Sequence, residues 1–162
     1  MKRFNTLLIT SLFTLMLLQG CGFHLRGAVQ LPSEMAQTWV AGSVSSELQE
    51  AVSDAIAGSN VALASTASAA TATLTLSNEQ FDRRVATVGS SGKVNEYELN
   101  YRVHWTLTNK SGAVLREGTV QQRENYRYDS AQVLGKSEEE RYLRGVMVKA
   151  ATRDLVRMLR SR

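Results

Sequence analysis

The sequence contains one cysteine, one proline and two histidines among its 162 residues. A lone cysteine cannot close an internal disulfide, and these residues are too few for the usual zinc sites, in which three or four ligands converge. The sequence also lacks a Gly-x-Ser-x-Gly nucleophile elbow and a glycine-rich phosphate loop that opens a helix. We therefore predict a protein that is not an enzyme and that binds no cofactor and no metal.

An excess of charge of one sign is also missing. The chain has 19 basic and 15 acidic residues, which gives a formal net charge of +4. Residues 1–20 carry two bases and no acid, so the rest of the chain has a formal charge of +2. Because no dense block of lysine and arginine occurs, we do not expect nucleic acid as a partner.

The single cysteine follows a short apolar segment. Lys2 and Arg3 precede the apolar run Leu7–Leu18, and Gly20 stands directly before Cys21. The run of 12 residues is too short to cross a hydrocarbon core of about 30 Å. A basic start, an apolar middle and a small residue before the cut predict an export signal, with Cys21 as the acylated residue of a lipoprotein. The alternative is an ordinary secretory signal beside an unpaired, buried cysteine.

Cleavage before the cysteine would give a signal peptide over residues 1–20, a lipidated tether over 21–35 and a single domain over 36–162. A domain of that size can bury a hydrophobic core without disulfides. The residue after the cysteine is Gly22, whereas an aspartate there commonly retains lipoproteins at the inner membrane of Gram-negative bacteria. We therefore expect the anchor to lie in the outer membrane.

The clearest structural pattern runs from Tyr97 to Thr108, where six apolar or aromatic residues alternate with six polar ones. This period of two predicts a long strand with one buried face and one polar face. His104 belongs to the polar face, where a solvated histidine is expected. Neighbouring strands are predicted on either side, over residues 73–88 and 114–128.

Two segments have apolar residues at helical spacing, from Ser46 to Gly58 and from about Ser137 to Arg160. In each, the opening serine is followed three residues later by glutamine or glutamate, the spacing of a capping box. A first short strand is expected near residues 37–41. The predicted order is strand, helix, three strands, helix. This order indicates an α/β (α+β) two-layer sandwich, with about four strands in a mixed sheet and both helices on one face.

Several basic residues are expected near one end of the three-strand meander. Arg83 and Arg84 lie on the strand before a turn, Lys93 follows that turn, and Lys136 precedes the last helix. Basic side chains grouped near strand ends can contact phosphates without a pocket. An ordinary solvated surface is the alternative interpretation. The glutamates Glu138–Glu140 are explained as favourable charges at a helix start.

The segment Cys21-Gly22-Phe23-His24-Leu25-Arg26-Gly27 resembles the mature N-terminus of the LptE (RlpB) family of lipopolysaccharide-assembly lipoproteins. The similarity continues in order and length through Leu31-Pro32, the helix at Ser46, the strand start at Glu96-Tyr97 and Leu134-Gly135-Lys136. The resemblance implies the family fold, in which helices pack on a four-stranded sheet. This fold agrees with the pattern of strands and helices derived above.

The resemblance also implies partners and a location. Family members sit largely inside the lumen of LptD, a β-barrel of the outer membrane, and the two proteins place lipopolysaccharide in the outer leaflet. The family also binds lipopolysaccharide, through basic residues in the turn between the second and third strands and before the last helix. Lys136 matches the second position, whereas Ser90 stands at the first, with Lys93 three residues further on. Lys136 and Lys93 are thus the implied contacts to lipopolysaccharide.

Two other functions remain open on the sequence alone. One is a generic lipid-anchored periplasmic binding or scaffold module with an unknown ligand. The other is a lipoprotein enzyme that acts on the cell wall, for which the sequence supplies no catalytic group. Co-purification with a large β-barrel would separate the barrel partner from the generic module.

Overall fold

The structure of the protein is a computed structural model that describes residues 31–128 and 133–160, with side chains from Ser137 onward in the second range. The predicted signal peptide, Cys21 and most of the tether lie outside these residues. The predicted acylation of Cys21 and the boundaries at residues 20 and 35 therefore stay predictions.

The described residues form five strands and two helices in the predicted order, with one short strand added. These are β1 (Gln37–Gly42), α1 (Ser46–Ala57), β2 (Ala62–Leu63), β3 (Ala72–Val88), β4 (Val94–Asn109), β5 (Val114–Arg127) and α2 (Val133–Leu159). Strand β2 was not predicted because its two residues lie in a stretch of small side chains with no alternating pattern. The predicted α+β fold is confirmed.

The sheet has the strand order β2-β1-β3-β4-β5. Strand β1 runs parallel to both β2 and β3, whereas β3, β4 and β5 form an antiparallel meander. In the register of the meander, Leu76 lies opposite Trp105, and Trp105 lies opposite Gly118. The sheet is therefore mixed, as predicted, and its longest strands lie next to each other.

One face of the sheet carries the hydrophobic core. Alternate residues of β4 are buried, among them Leu99, Tyr101 and Leu107, while helix α1 contributes Leu48, Val52 and Ile56, and α2 contributes Met147, Leu155 and Leu159. Both helices pack on this face, and the polar residues of the meander occupy the opposite one. The core cluster extends along the chain from Met35 to Leu159. A protein of residues 22–162 therefore retains every residue of the core.

The helix starts differ from the predicted capping boxes. The N-cap of α1 is Ser45, whose hydroxyl oxygen accepts a hydrogen bond of 3.4 Å from the Leu48 amide. Helix α2 begins at Val133, so Ser137 lies inside the helix and the predicted box is wrong. The first turn of α2 contains no acidic residue, so the interpretation of Glu138–Glu140 as charges at the helix start is also wrong.

The hairpin of β3 and β4 extends beyond the helical layer. Leu74 and Leu76 of β3 are buried, but residues 82–88 of the same strand are all exposed. The far half of the hairpin pairs with β5, whose last residues lie opposite Glu96 and Tyr97, and it contacts α2 through the ion pair between Arg83 and Glu140. We call this part of the molecule, from Phe81 to Leu99 with the facing end of β5, the hairpin end.

Candidate functional site at the hairpin end

Lys93 lies in the turn between β3 and β4, and its side chain is exposed. The Gly89 amide donates a hydrogen bond of 2.8 Å to the Lys93 carbonyl, and the Gly92 amide donates one of 2.9 Å to the Gly89 carbonyl. Gly92 has a φ of +76°, a left-handed conformation that glycine adopts without strain. Ser90 is also exposed in this turn, so both family-related positions of the turn face solvent.

Lys136 lies in the first turn of α2 rather than in the loop before it, because the helix begins at Val133. Its side chain lies outside the described residues. The Tyr128 amide donates a hydrogen bond of 2.8 Å to the Asn95 carbonyl, so the chain leaves β5 two residues away from Lys93. Val133 follows Tyr128 by five positions, which limits the distance between their Cα atoms to about 18 Å. The fold thus brings Lys93 and the first turn of α2 to the same end of the sheet.

Three tyrosines cluster between these two positions. The rings of Tyr97 and Tyr126 are stacked with their centroids 5.8 Å apart, and Tyr128 meets Tyr97 edge-on at 5.1 Å. Two valines beyond the cluster, Val85 and Val88, are 51% and 57% exposed. The hairpin end therefore presents aromatic and aliphatic surface beside its exposed lysine.

Arg83 is held inside this cluster by a carboxylate. Its Nη1 lies 2.8 Å from the Glu140 carboxylate, and its guanidinium carbon lies 4.8 Å from the centre of the Tyr97 ring. Tyr126 donates a hydrogen bond of 3.1 Å to the same carboxylate. Contact with the Tyr126 hydroxyl and with Glu140 raises the pKa of Arg83, and burial raises the pKa of Tyr126. Arg83 is thus engaged within the protein.

The two neighbouring arginines of β3 do not act together. Arg83 lies opposite Leu99 on the helix-covered face, whereas Arg84 lies opposite Glu98 on the open face. Successive residues of a strand point to opposite sides of the sheet, which separates the two charges. Their similar distance from the turn predicts that both lie near one end of the meander, but it does not show that their side chains lie on opposite faces of the sheet.

A pocket of about 310 Å³ lies beside the second turn of α2 and is lined by Phe81, Ser137, Glu140, Arg141 and Arg144. The guanidinium carbon of Arg144 lies 5.5 Å from the centre of the Phe81 ring, and the Arg144 Nε is buried with no hydrogen-bond partner among the described residues. The pocket therefore has an arginine above an aromatic floor, about two turns beyond Lys136 on the same helix. The Arg144 guanidinium also lies 3.8 Å from the Glu79 carboxylate, which balances its charge.

This pocket could not be predicted from the sequence pattern. Arg141 and Arg144 are spaced three residues apart and so share one side of α2, which is a visible signal. Their position over Phe81 depends on a contact between residues more than 60 positions apart. No pattern local to the helix could have identified that contact.

The other candidate residues have structural partners. His104 is half-buried on the open face, with its ring nitrogens 3.3 Å from the Thr119 hydroxyl and 3.4 Å from the Thr106 hydroxyl. Glu138 pairs with Arg141 at 2.6 Å.

Within residues 31–128 and 133–160, no group of three or more potential metal ligands occurs. The helices of this part of the chain are not long and apolar enough to span a bilayer.

Comparison with solved structures identifies the class of protein. Lipoprotein B from Nitrosomonas europaea superimposes with a TM-score of 0.70 and 25% identity, over 84% of this chain and 88% of that one. Rare lipoprotein B from Shewanella oneidensis superimposes with a TM-score of 0.65 and 24% identity, over 75% of this chain and 91% of that one. A minor lipoprotein from Acinetobacter baumannii superimposes with a TM-score of 0.65 and 17% identity, over 77% of this chain and 90% of that one. The fold is therefore that of a small bacterial lipoprotein.

The sequence profile of the lipopolysaccharide-assembly family LptE matches residues 27–159. The chain belongs to this family, so the predicted family is confirmed; residues 21–26, where the resemblance begins, lie before the matched range. A comparison with curated proteins found no match.

Proposed function

We propose that this protein is an outer-membrane lipoprotein that partners the LptD β-barrel, supports its assembly and binds lipopolysaccharide at the hairpin end. The observation that carries the proposal is the family match over residues 27–159. In this account the protein has no catalytic role. Cys21 anchors it on the periplasmic side of the membrane, and the domain occupies the lumen of the barrel.

The shape of the domain supports a role as a plug. A plug inside a water-filled barrel needs a rigid body whose outer surface is polar. The open face of the sheet meets this need, with half-buried or exposed polar side chains at Thr73, Thr75, His104, Thr106, Thr119 and Gln121. The single core cluster that joins the sheet to both helices supplies the rigidity.

The chemistry of the hairpin end supports contact with lipopolysaccharide. This lipid carries phosphates and acyl chains, so a binding surface needs cations next to apolar area. Lys93 supplies an exposed cation, and Val85 and Val88 supply exposed apolar surface nearby. Lys136, in the first turn of α2, belongs to the same end of the sheet. A charge-assisted contact of this kind contributes about 1.5–3 kcal/mol when partly shielded from water.

Co-purification with the barrel tests the partnership. We expect a tagged copy of the full chain, extracted in detergent, to retain LptD, and depletion of the protein to lower the amount of correctly assembled LptD. Outer-membrane permeability to large hydrophobic antibiotics should then rise. Unchanged barrel levels and unchanged permeability would contradict the partnership and would favour the generic lipid-anchored module.

Metabolic labelling tests the anchor separately. We expect labelled palmitate to be incorporated into the wild-type protein, and Cys21→Ser to abolish the labelling and leave the precursor uncut. Equal labelling of both proteins would contradict acylation at Cys21.

A further inference from the structure

A second cationic site lies at the other end of the molecule from the hairpin. A groove of about 560 Å³ opens between the C-terminal ends of α1 and α2. Ala55 and Ser59 line it from the side of α1, while Arg153, Arg157 and Arg160 line it from the side of α2. Arg116, at the start of β5, donates a hydrogen bond to the Arg160 carbonyl, which fixes the end of the helix beside the groove.

The groove has more positive than negative charge. Arg157 pairs with Asp154 at 2.5 Å, and the same carboxylate accepts a hydrogen bond of 2.9 Å from Gln122. Among the described residues, no carboxylate forms an ion pair with Arg153 or Arg160. Three guanidinium groups therefore surround the groove with a single acidic side chain to balance them.

Helix stability alone does not explain why the residues that line the groove from α2 are basic. Lys149, Arg153 and Arg157 follow each other at intervals of four residues, so like charges are neighbours along one side of α2, an arrangement that disfavours the helix. Favourable interaction with the helix dipole is confined to the last turn. This interaction explains Arg157 and Arg160 but not Arg153, which lies more than one turn before the end at Leu159.

The lining indicates the chemistry of a ligand. The planar guanidinium group forms paired hydrogen bonds with phosphate oxygens, and three such groups face one concave space. The buried Val156 and the half-buried Ala55 add apolar surface to the lining. A volume of about 560 Å³ is in the range of sites for ligands with many atoms, so it is larger than a bare phosphate ion requires.

We propose that this interhelical groove binds the phosphate of an anionic phospholipid head group. The concave shape and the apolar lining favour a lipid over an acidic protein segment, which would need a broader surface. The proposal does not depend on the proposed function, since the groove and the hairpin end lie at opposite ends of the sheet.

The test uses soluble protein of residues 22–162, which retains the whole core, and monitors backbone amide signals by NMR. The probes are short-chain phosphatidylglycerol below its micelle concentration, short-chain phosphatidylcholine, inorganic phosphate and an acidic peptide. We expect phosphatidylglycerol to shift the amide signals of Ser59 and Arg157. The variant R153Q/R157Q/R160Q should bind it at least tenfold more weakly. The matched control K110Q/R102Q/R123Q removes three exposed charges elsewhere and should stay within twofold of the wild type.

Each other outcome overturns the proposal. Equal shifts with inorganic phosphate would identify a free-phosphate site, and shifts with the acidic peptide alone would identify a protein-binding groove. If both triple variants lose the same affinity for phosphatidylglycerol, binding depends only on the net charge of the protein and not on the groove. Equal binding of phosphatidylcholine would remove the preference for an anionic head group. Thermal melts of both variants show whether either loss of binding comes from unfolding.

Discussion

The carboxylate of Glu79 accepts a hydrogen bond of 2.9 Å from the hydroxyl of Tyr101, a side chain with no exposed surface. It also accepts one of 2.8 Å from the Ser45 hydroxyl at the start of α1. A bulge in β3, where Asn78 has a φ of +52°, lets Glu79 reach the helix-covered face. This carboxylate therefore joins the sheet to the first helix.

Replacement of Glu79 should be costly to stability. Its side chain is only 9% exposed, and Glu79→Ala leaves the Tyr101 hydroxyl buried without an acceptor. We expect the free energy of unfolding to fall by about 2–3 kcal/mol, measured by chemical denaturation. Glu117→Ala removes an exposed carboxylate on β5 and should change the free energy by less than about 0.5 kcal/mol. Equal effects of the two substitutions would contradict the proposed link.

The same contact predicts a dependence of stability on pH. Burial and the neighbouring Glu79 raise the pKa of the Tyr101 hydroxyl far above its ordinary value. Above about pH 10 the unfolded tyrosine loses its proton while the folded one keeps it, so the unfolded state gains stability. We expect the free energy of unfolding to fall as pH rises from about 9 to 11, and to fall less in Tyr101→Phe. Identical slopes for the two proteins would contradict this assignment.

A close approach between strands predicts a second sensitive position. A Cβ atom at Gly118 would lie 3.0 Å from the indole ring of Trp105, which is only 2% exposed and cannot move into solvent. We expect Gly118→Ala to lower the free energy of unfolding by about 1–3 kcal/mol. The loss should be smaller in a Trp105→Phe background, where the ring is smaller. If the cost is the same in both backgrounds, contact with the indole is not its cause.

The sequence predicted those parts of the fold whose pattern is local. The alternation from Tyr97 to Thr108 and the helical spacing in α1 can both be read from residues that are close together in the sequence. Strand β4 and helix α1 are therefore where they were expected. Met158 follows the buried Leu155 at helical spacing in α2 but is 46% exposed, because the sheet covers only part of that side of the helix. Spacing along a helix does not show how wide its partner is.

The parts of the site that the sequence could not predict depend on distant contacts. Nothing near Arg83 shows that Glu140, 57 residues further on, neutralises it. The adjacent serines before α1 offer two candidates for the N-cap, and the choice of Ser45 is fixed by Glu79 from a distant strand. The turn beside Lys93 could be predicted because the Gly-Ser-Ser-Gly pattern of residues 89–92 is a local feature.

Binding of lipopolysaccharide at the hairpin end is the central claim, and its most direct test is an affinity measurement on soluble protein of residues 22–162. Charge reversal in K93E/K136E should weaken binding at least tenfold, which corresponds to about 1.4 kcal/mol. The melting temperature should change little, because surface substitutions usually alter stability by less than about 0.5 kcal/mol. The control K110E/K149E reverses two exposed lysine charges away from the hairpin end and should bind as the wild type does. Unaltered binding by a folded K93E/K136E protein would contradict the claim and would place the lipid elsewhere on the domain.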